Sequence, residues 1–236
     1  MKPRTIRELW GTATGPCLII GNGPSLNDIP DDFLEQYPNF GCNFIPMHRQ
    51  FRLDHLVMID ACTYTKTEIW ECISPSTRVL VFAKAIEFIR DERRKNIIFW
   101  ANKTEKIPGM TYGNKWGSYF PTSGHAAVWL ADYIGYTEFL LVGVDGTKQA
   151  RHFDEVDSYG RSLIPHFYDD GHEGVQSVLW DMAWGNLLWH MSSKGKPITN
   201  LSTRTAMTQL PRERWEDYAK SGLDRRLRSV DFERAV

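Results

Sequence analysis

Cys17-Leu18-Ile19-Ile20-Gly21-Asn22-Gly23-Pro24-Ser25-Leu26 reads as a buried strand that stops at a glycine turn. An unbroken apolar run of this length suits a strand covered on both faces, the usual state of strands in a parallel sheet. In such sheets ligands lie beyond the carboxyl ends of the strands, where the strand order switches direction. Gly21 and Gly23 would let backbone N–H groups come close to a phosphate there, with Asn22 between them. Pro24 presets φ for a first helical turn, and Ser25 brings a hydroxyl. Glycines at such a turn also serve geometry alone, and both readings stand at this point. Leu26 occupies the place of the third glycine of the dinucleotide fingerprint, and no GxxxxGK[ST] stretch occurs. A nicotinamide-dinucleotide site and a P-loop are therefore disfavoured.

Working outward, further apolar runs at 40–44, 56–59, 79–82, 97–100, 139–142 and 197–201 alternate with helical stretches. This rhythm predicts an α/β domain with three layers, Rossmann-like, around a mostly parallel sheet of about seven strands. The clearest helix runs from Ser123 to Ile134, with Ala126, Ala127, Leu130, Ala131 and Ile134 on one face, Ser123 as its N-cap and Gly135 past its end. From Asp145 to Glu173 the apolar periodicity disappears, which predicts a long lid loop over the site. From Pro211 onward charges of both signs crowd together, as on a solvated helix. We expect one nucleotide-binding domain over 1–210, with its lid at 145–173, and a charged helical tail over 211–236.

The 236 residues suffice for one large core. Lys plus Arg number 28 against 29 Asp plus Glu, so no global field draws the chain to nucleic acid or anionic lipid. No apolar run approaches the ~20 residues of a bilayer span, and the first residues lead into no signal-peptide core. Cys17, Cys42, Cys62 and Cys72 show no CxxC spacing and read as small buried hydrophobes. A reducing, cytoplasmic setting is expected, and a homo-oligomer is left open.

The ordered set Gly21-Asn22-Gly23-Pro24-Ser25-Leu26, Gly41-Cys42-Asn43, Thr122-Ser123-Gly124 and Leu141-Val142-Gly143-Val144-Asp145 resembles the bacterial lipooligosaccharide sialyltransferases and the related domain of archaeal-type 6-hydroxymethylpterin diphosphokinases. The resemblance spans roughly 16–208, through Asp170-Gly171-His172 to Ile198-Thr199-Asn200-Leu201-Ser202. It implies a modified Rossmann-type fold of the GT-A kind and inverting transfer from a nucleotide sugar with no obligatory metal. Asn22 and Ser25 would then contact the donor phosphate. Asn43 would hold the ribose or base, and Thr122, Ser123 and Gly124 would line the nucleotide cleft. Asp60 would lie near the donor sugar, and His172 would be the general base. The family's arginine before Thr-Ser-Gly is absent, since Tyr119-Phe120-Pro121 stands there. Its tyrosine pair has no clean match after Asp145, where Tyr159 and Tyr168 stand as substitutes and Lys148, Arg151 and His152 as cationic ones.

On the residues alone, His166 and His172 sit in a run rich in Asp169, Asp170 and Glu173. A neutral imidazole there suits removal of a hydroxyl proton, and a neighbouring carboxylate could orient it. Helix capping is the alternative, and a metal held by His166, Asp169, Asp170 and His172 is a weaker one. Asp145 suits either Mg²⁺ beside phosphates or a turn bond to Gly146-Thr147. Trp180, Trp184 and Trp189 read as core of an apolar helix. The leading expectation is a glycosyltransferase using a CMP, UDP or GDP sugar, with no obligatory cofactor and Mg²⁺ open. The acceptor hydroxyl would belong to a glycan or a modified nucleic-acid base. A Mg²⁺-dependent pterin-type diphosphokinase and a non-catalytic nucleotide- or glycan-binding protein are the alternatives.

Overall fold

The chain is described by a computed structural model over residues 4–59, 61–82, 97–100, 122–149, 174–176 and 178–221. Its strands are β1 (Arg4–Thr5), β2 (Pro16–Ile20), β3 (Asn39–Cys42), β4 (His55–Met58), β5 (Arg78–Phe82), β6 (Ile97–Trp100), β7 (Glu138–Val142), β8 (Thr147–Gln149), β9 (Gly174–Gln176) and β10 (Ile198–Asn200). Eight of them form one sheet in the order β1-β6-β5-β4-β3-β2-β7-β10, with every neighbouring pair parallel. The fold is α/β and doubly wound, as the sequence predicts, with one strand more than the seven apolar runs announce. The addition is β1, two half-buried residues with no apolar run to betray them. The chain moves outward from β2 to β6 on one side and resumes with β7 and β10 on the other, so the switch in strand order lies between β2 and β7.

The period of two along β2 divides the core. Cys17 and Ile19 face one layer with Phe40, Val57, Phe139 and Leu141, while Leu18 and Ile20 face the other with Leu140 and Val142. The first layer is covered by α5 (Ser123–Ile134) and α6 (Val178–Ser193), which bring Ala127, Leu130, Trp184 and Leu187 onto the strands. The opposite layer is covered by short elements. These are a 3₁₀ turn over Pro24–Asp28, α1 (Asp31–Leu34), α2 (Ile45–His48), α4 (Thr67–Cys72, following α3 at Ala61–Tyr64) and a helix over 215–221. Among the described residues no helix is long and apolar enough to cross a membrane.

Several local expectations change. The N-cap of α5 is Thr122, whose Oγ1 accepts from the His125 backbone N–H at 3.3 Å; Ser123 is the first helical residue. The charged tail starts with exposed Arg212, Glu213, Arg214, Asp217 and Lys220 and also has a packed apolar face. Trp215 lies 5.4 Å from the Phe33 ring, and the buried Tyr218 hydroxyl donates to Glu138 at 2.9 Å. Trp184 is core, but Trp189, on the same helix, is 74% exposed. Cys17 and Cys42 are buried and their thiols pushed up by burial, that of Cys42 to about 12, whereas Cys72 is exposed. Within and just beyond the segment read as a lid, β8 and β9 pair antiparallel; residues 150–173 between them lie outside the described residues.

At the switch point the backbones of the loops after β2 and β7 come close together. Gly21 N–H donates to the Val142 carbonyl at 2.8 Å, and a Cβ on Gly21 would fall on the Gly143 carbonyl oxygen. Gly21→Ala should force β2 and β7 apart and destabilise the protein by about 1–3 kcal/mol, the usual cost of overpacking. Urea denaturation against wild type measures it; an unchanged midpoint would mean that the loops part freely.

Candidate active site at the switch point

Three loops meet at the carboxyl edge, after β2, β7 and β10. The turn after β2 is where the sequence places a phosphate cradle, and the donors of Gly21, Gly23, Ser25 and Leu26 are engaged within the protein. Gly21 N–H goes to Val142, Gly23 N–H to the Gly143 carbonyl at 2.7 Å, and Leu26 N–H to the Gly23 carbonyl at 3.0 Å. Pro24 has none. Ser25 is fully buried, and both its backbone N–H (2.8 Å) and its hydroxyl donate to the carboxylate of Asp145. The anion held by this turn is therefore an internal one. The glycines serve that contact: a Cβ on Gly23 would stand 2.6 Å from an Asp145 oxygen. Ser25 and the amides of Gly21, Gly23 and Leu26, expected to face a donor phosphate, are thus paired within the protein. Ser25 is a partner that the sequence reading of Asp145, as a Mg²⁺ ligand or a turn residue bonding Gly146-Thr147, did not name.

Burial, opposed by the two Ser25 hydrogen bonds, raises the pKa of Asp145 above the usual carboxylate value; nearby Asp28 raises it further and Arg204 lowers it. The loop after β10 holds this arrangement from the far side. Asn200 Nδ2 donates to the Val144 carbonyl (3.2 Å), Val144 N–H donates to Ser202 Oγ (2.9 Å), and Ala206 N–H donates to the Asp145 carbonyl (2.8 Å). Thr203 and Arg204 are thereby delivered to Asp28, the last residue of the 3₁₀ turn. Thr203 Oγ1 bonds its carboxylate, while Arg204 Nε and Nη2 donate to it at 3.0 and 2.8 Å. The sequence reading gave Ser202 and Asp28 no role and passed over Arg204. Nothing in spacing alone brings them together, because the contact depends on β10 lying next to β7.

On the α5 side of the same edge, the structure does assemble a predicted group. Asn22 Nδ2 donates to the Cys42 carbonyl at 2.9 Å, which turns its Oδ1 the other way; that oxygen is buried and has no partner among the described residues. Asn43 follows Cys42 at φ +53°, the one non-glycine residue in the left-handed region among those described. Its Oδ1 accepts from Ser123 Oγ at 3.1 Å. Asn22, Asn43 and Ser123 thus lie together beyond β2 and β3, at the start of α5. Thr122 caps that helix, and Gly124 is turned away: a Cβ there would press on the Trp184 ring at 3.1 Å. His125 is a packing residue. Its ring lies 4.1 Å from that of Trp184, its Nδ1 is 2.9 Å from Thr122 Oγ1, and burial pushes its pKa down to about 4.

His172, the candidate base, lies outside the described residues, as do Asp60, Tyr159, His166 and Tyr168. Among the described residues no three His, Cys, Asp or Glu side chains come together to hold a metal ion.

No protein-family model and no curated protein matches the chain. Among solved structures it is similar to the MAf glycosyltransferase from Magnetospirillum magneticum AMB-1, with a TM-score of 0.50 and 12% identity over 92% of this chain. That alignment takes in 35% of the larger protein, so the chain spans about a third of its length. A second similar structure is the sialyltransferase CstII from Campylobacter jejuni in complex with the substrate analogue CMP-3FNeuAc, with a TM-score of 0.49 and 14% identity over 84% of each chain. At this identity the likeness to the MAf enzyme is one of fold: the domain is glycosyltransferase-like in architecture. Neither structure is a diphosphokinase, and the pterin half of the sequence resemblance gains no support from them.

The Asp145–Ser25 contact yields two distinguishable outcomes. Asp145→Ala strands two buried donors and should cost about 1–3 kcal/mol in chemical denaturation. Asp145→Asn keeps an acceptor and loses the charge. Because the native pKa of Asp145 is raised, the native state binds its proton more tightly than the unfolded chain does. Its contribution to stability is therefore present at low pH and lost as pH rises from the unfolded carboxylate range through the native pKa. Stability of the Asn variant relative to wild type should climb across that window. A pH-independent difference would place the charge of Asp145 in solvent.

Proposed function

We propose that the protein is a glycosyltransferase that uses a nucleotide sugar. One observation carries this reading: the Asn22, Asn43 and Ser123 cluster, with a buried acceptor left unpartnered, at the carboxyl edge of a glycosyltransferase-like fold. A buried oxygen without a donor costs free energy until a ligand supplies one. Since Oδ1 of Asn22 accepts, it takes a ribose hydroxyl or a base N–H and turns away a phosphate oxygen. The role proposed for Asn22 therefore moves from the phosphate to the nucleoside, which lies over β2 and β3 with Asn43 and Ser123. The donor's phosphate then reaches the switch point, and its sugar lies on the β7 side.

In the proposed reaction the acceptor hydroxyl oxygen bonds to the anomeric carbon while the bond from that carbon to the phosphate oxygen breaks. The phosphate leaves as the anion, and a base takes the hydroxyl proton. His172 is the base proposed from the sequence, since an ordinary imidazole is poised for that transfer near neutral pH. Exclusion of water by the 145–173 segment would protect the donor from hydrolysis.

Calorimetric titration of CMP, UDP and GDP tests the site. Asn22→Ala should weaken the nucleotide that binds by about tenfold, the worth of one buried hydrogen bond. His172→Ala should lower turnover by ~10²–10⁴ and leave nucleotide affinity in place. If all three nucleotides fail to bind, the reading is wrong; if turnover is unchanged, His172 is not the base.

A further inference from the structure

The switch point presents an electrostatic difficulty for any phosphorylated donor. Of the turn's amides, those of Gly21, Gly23, Ser25 and Leu26 are engaged within the protein, and the seat beside Ser25 is filled by a carboxylate. Asp28 adds a second carboxylate close enough to raise the pKa of Asp145. A phosphate arriving here meets two acids and few donors, so it needs a cation.

Arg204 is built for that. The backbone around it is fastened: Ser202 and Thr205 are tied to Val144, Ala206 to Asp145, and Thr203 to Asp28. Its guanidinium reaches the rim by a defined route and lies close enough to Asp145 to lower its pKa. Two of its five N–H groups, on Nε and Nη2, fork onto Asp28. Nη1 makes no hydrogen bond among the described residues, and the side chain is 64% exposed. An arginine that served only to tie down its loop would gain nothing from this exposure, since surface pairs contribute little. A guanidinium with one edge on a carboxylate and the other open matches a second two-oxygen anion.

We propose that Arg204 contacts the phosphate of the nucleotide sugar, and that Asp28 holds it in position and competes for it until the donor arrives. This deepens the nucleotide-sugar reading and rests on it. As the bond to the sugar breaks, charge grows on the phosphate oxygen that leaves, and a fixed guanidinium stabilises that charge without having to be reorganised.

The test is calorimetry on the full chain at low salt, with CMP, UDP and GDP against cytidine, uridine and guanosine. Arg204→Gln should weaken the nucleotide that binds by roughly ten- to hundredfold and leave its nucleoside unchanged. Asp28→Asn should do the reverse, because it frees the guanidinium: the nucleotide binds several-fold more tightly and the nucleoside as before. In wild type, the preference for nucleotide over nucleoside should fall as salt rises. If Arg204 only anchors its loop, both substitutions break the same ion pair and change nucleotide and nucleoside affinity together, which overturns the proposal. Equal binding of nucleotide and nucleoside by wild type overturns it as well, while leaving the nucleoside site intact. Binding of none of the six compounds removes the parent reading and this one with it.

Discussion

A buried carboxylate joined to a buried serine holds the centre of this molecule. Asp145 comes from the loop after β7 and Ser25 from the turn after β2, so their two hydrogen bonds close the sheet at the point where its strand order reverses. In low dielectric, such a pair is costly to leave half-made and geometrically demanding once made. The other loops of the carboxyl edge follow from it. Gly23 must lack a side chain to admit the carboxylate, and the segment after β10 grips the backbone of residues 144 and 145 through Asn200, Ser202, Thr205 and Ala206. The result is a rigid platform on which only a few polar groups remain available to a ligand.

Those groups fall on two sides of the platform. Toward α5 lie Asn22, Asn43 and Ser123, neutral and fitted to hydroxyl and N–H partners. Toward the 3₁₀ turn lie Asp28 and Arg204, charged and partly exposed. A nucleoside on one side and a phosphate toward the other follows the general habit of doubly wound sheets, where the ligand straddles the reversal. Fold likeness to a glycosyltransferase supplies the architecture for this arrangement; the chemistry is argued from the side chains.

Much of the architecture was legible in the chain. Continuous apolar runs declared buried parallel strands, and the 3.6-residue pattern of Ala126, Leu130 and Ile134 declared α5. What failed was local. Ser123 and Thr122 are both good caps, and the choice between them turned on Asn43, a partner remote in sequence. Trp189 is as apolar as Trp184, and only the position of α6 over β10 decides which of them is covered. The glycine turn was the instructive case. Gly21-Asn22-Gly23 has the same spelling whether its amides face a ligand or a neighbouring loop, and the deciding group, the Asp145 carboxylate, comes from the other half of the chain. Arg204 went unread for the same reason, since its partner Asp28 becomes its neighbour only after β10 has been laid beside β7.

The approach of Gly21 to Gly143 has one more consequence. The carbonyl of each lies where a side chain on the other would begin, and Gly143 also has a positive φ of 63°. Neither position can drift alone during descent. Among natural variants of this domain, these two glycines should be inherited as a unit, and a chain that has lost one of them will have rebuilt both loops.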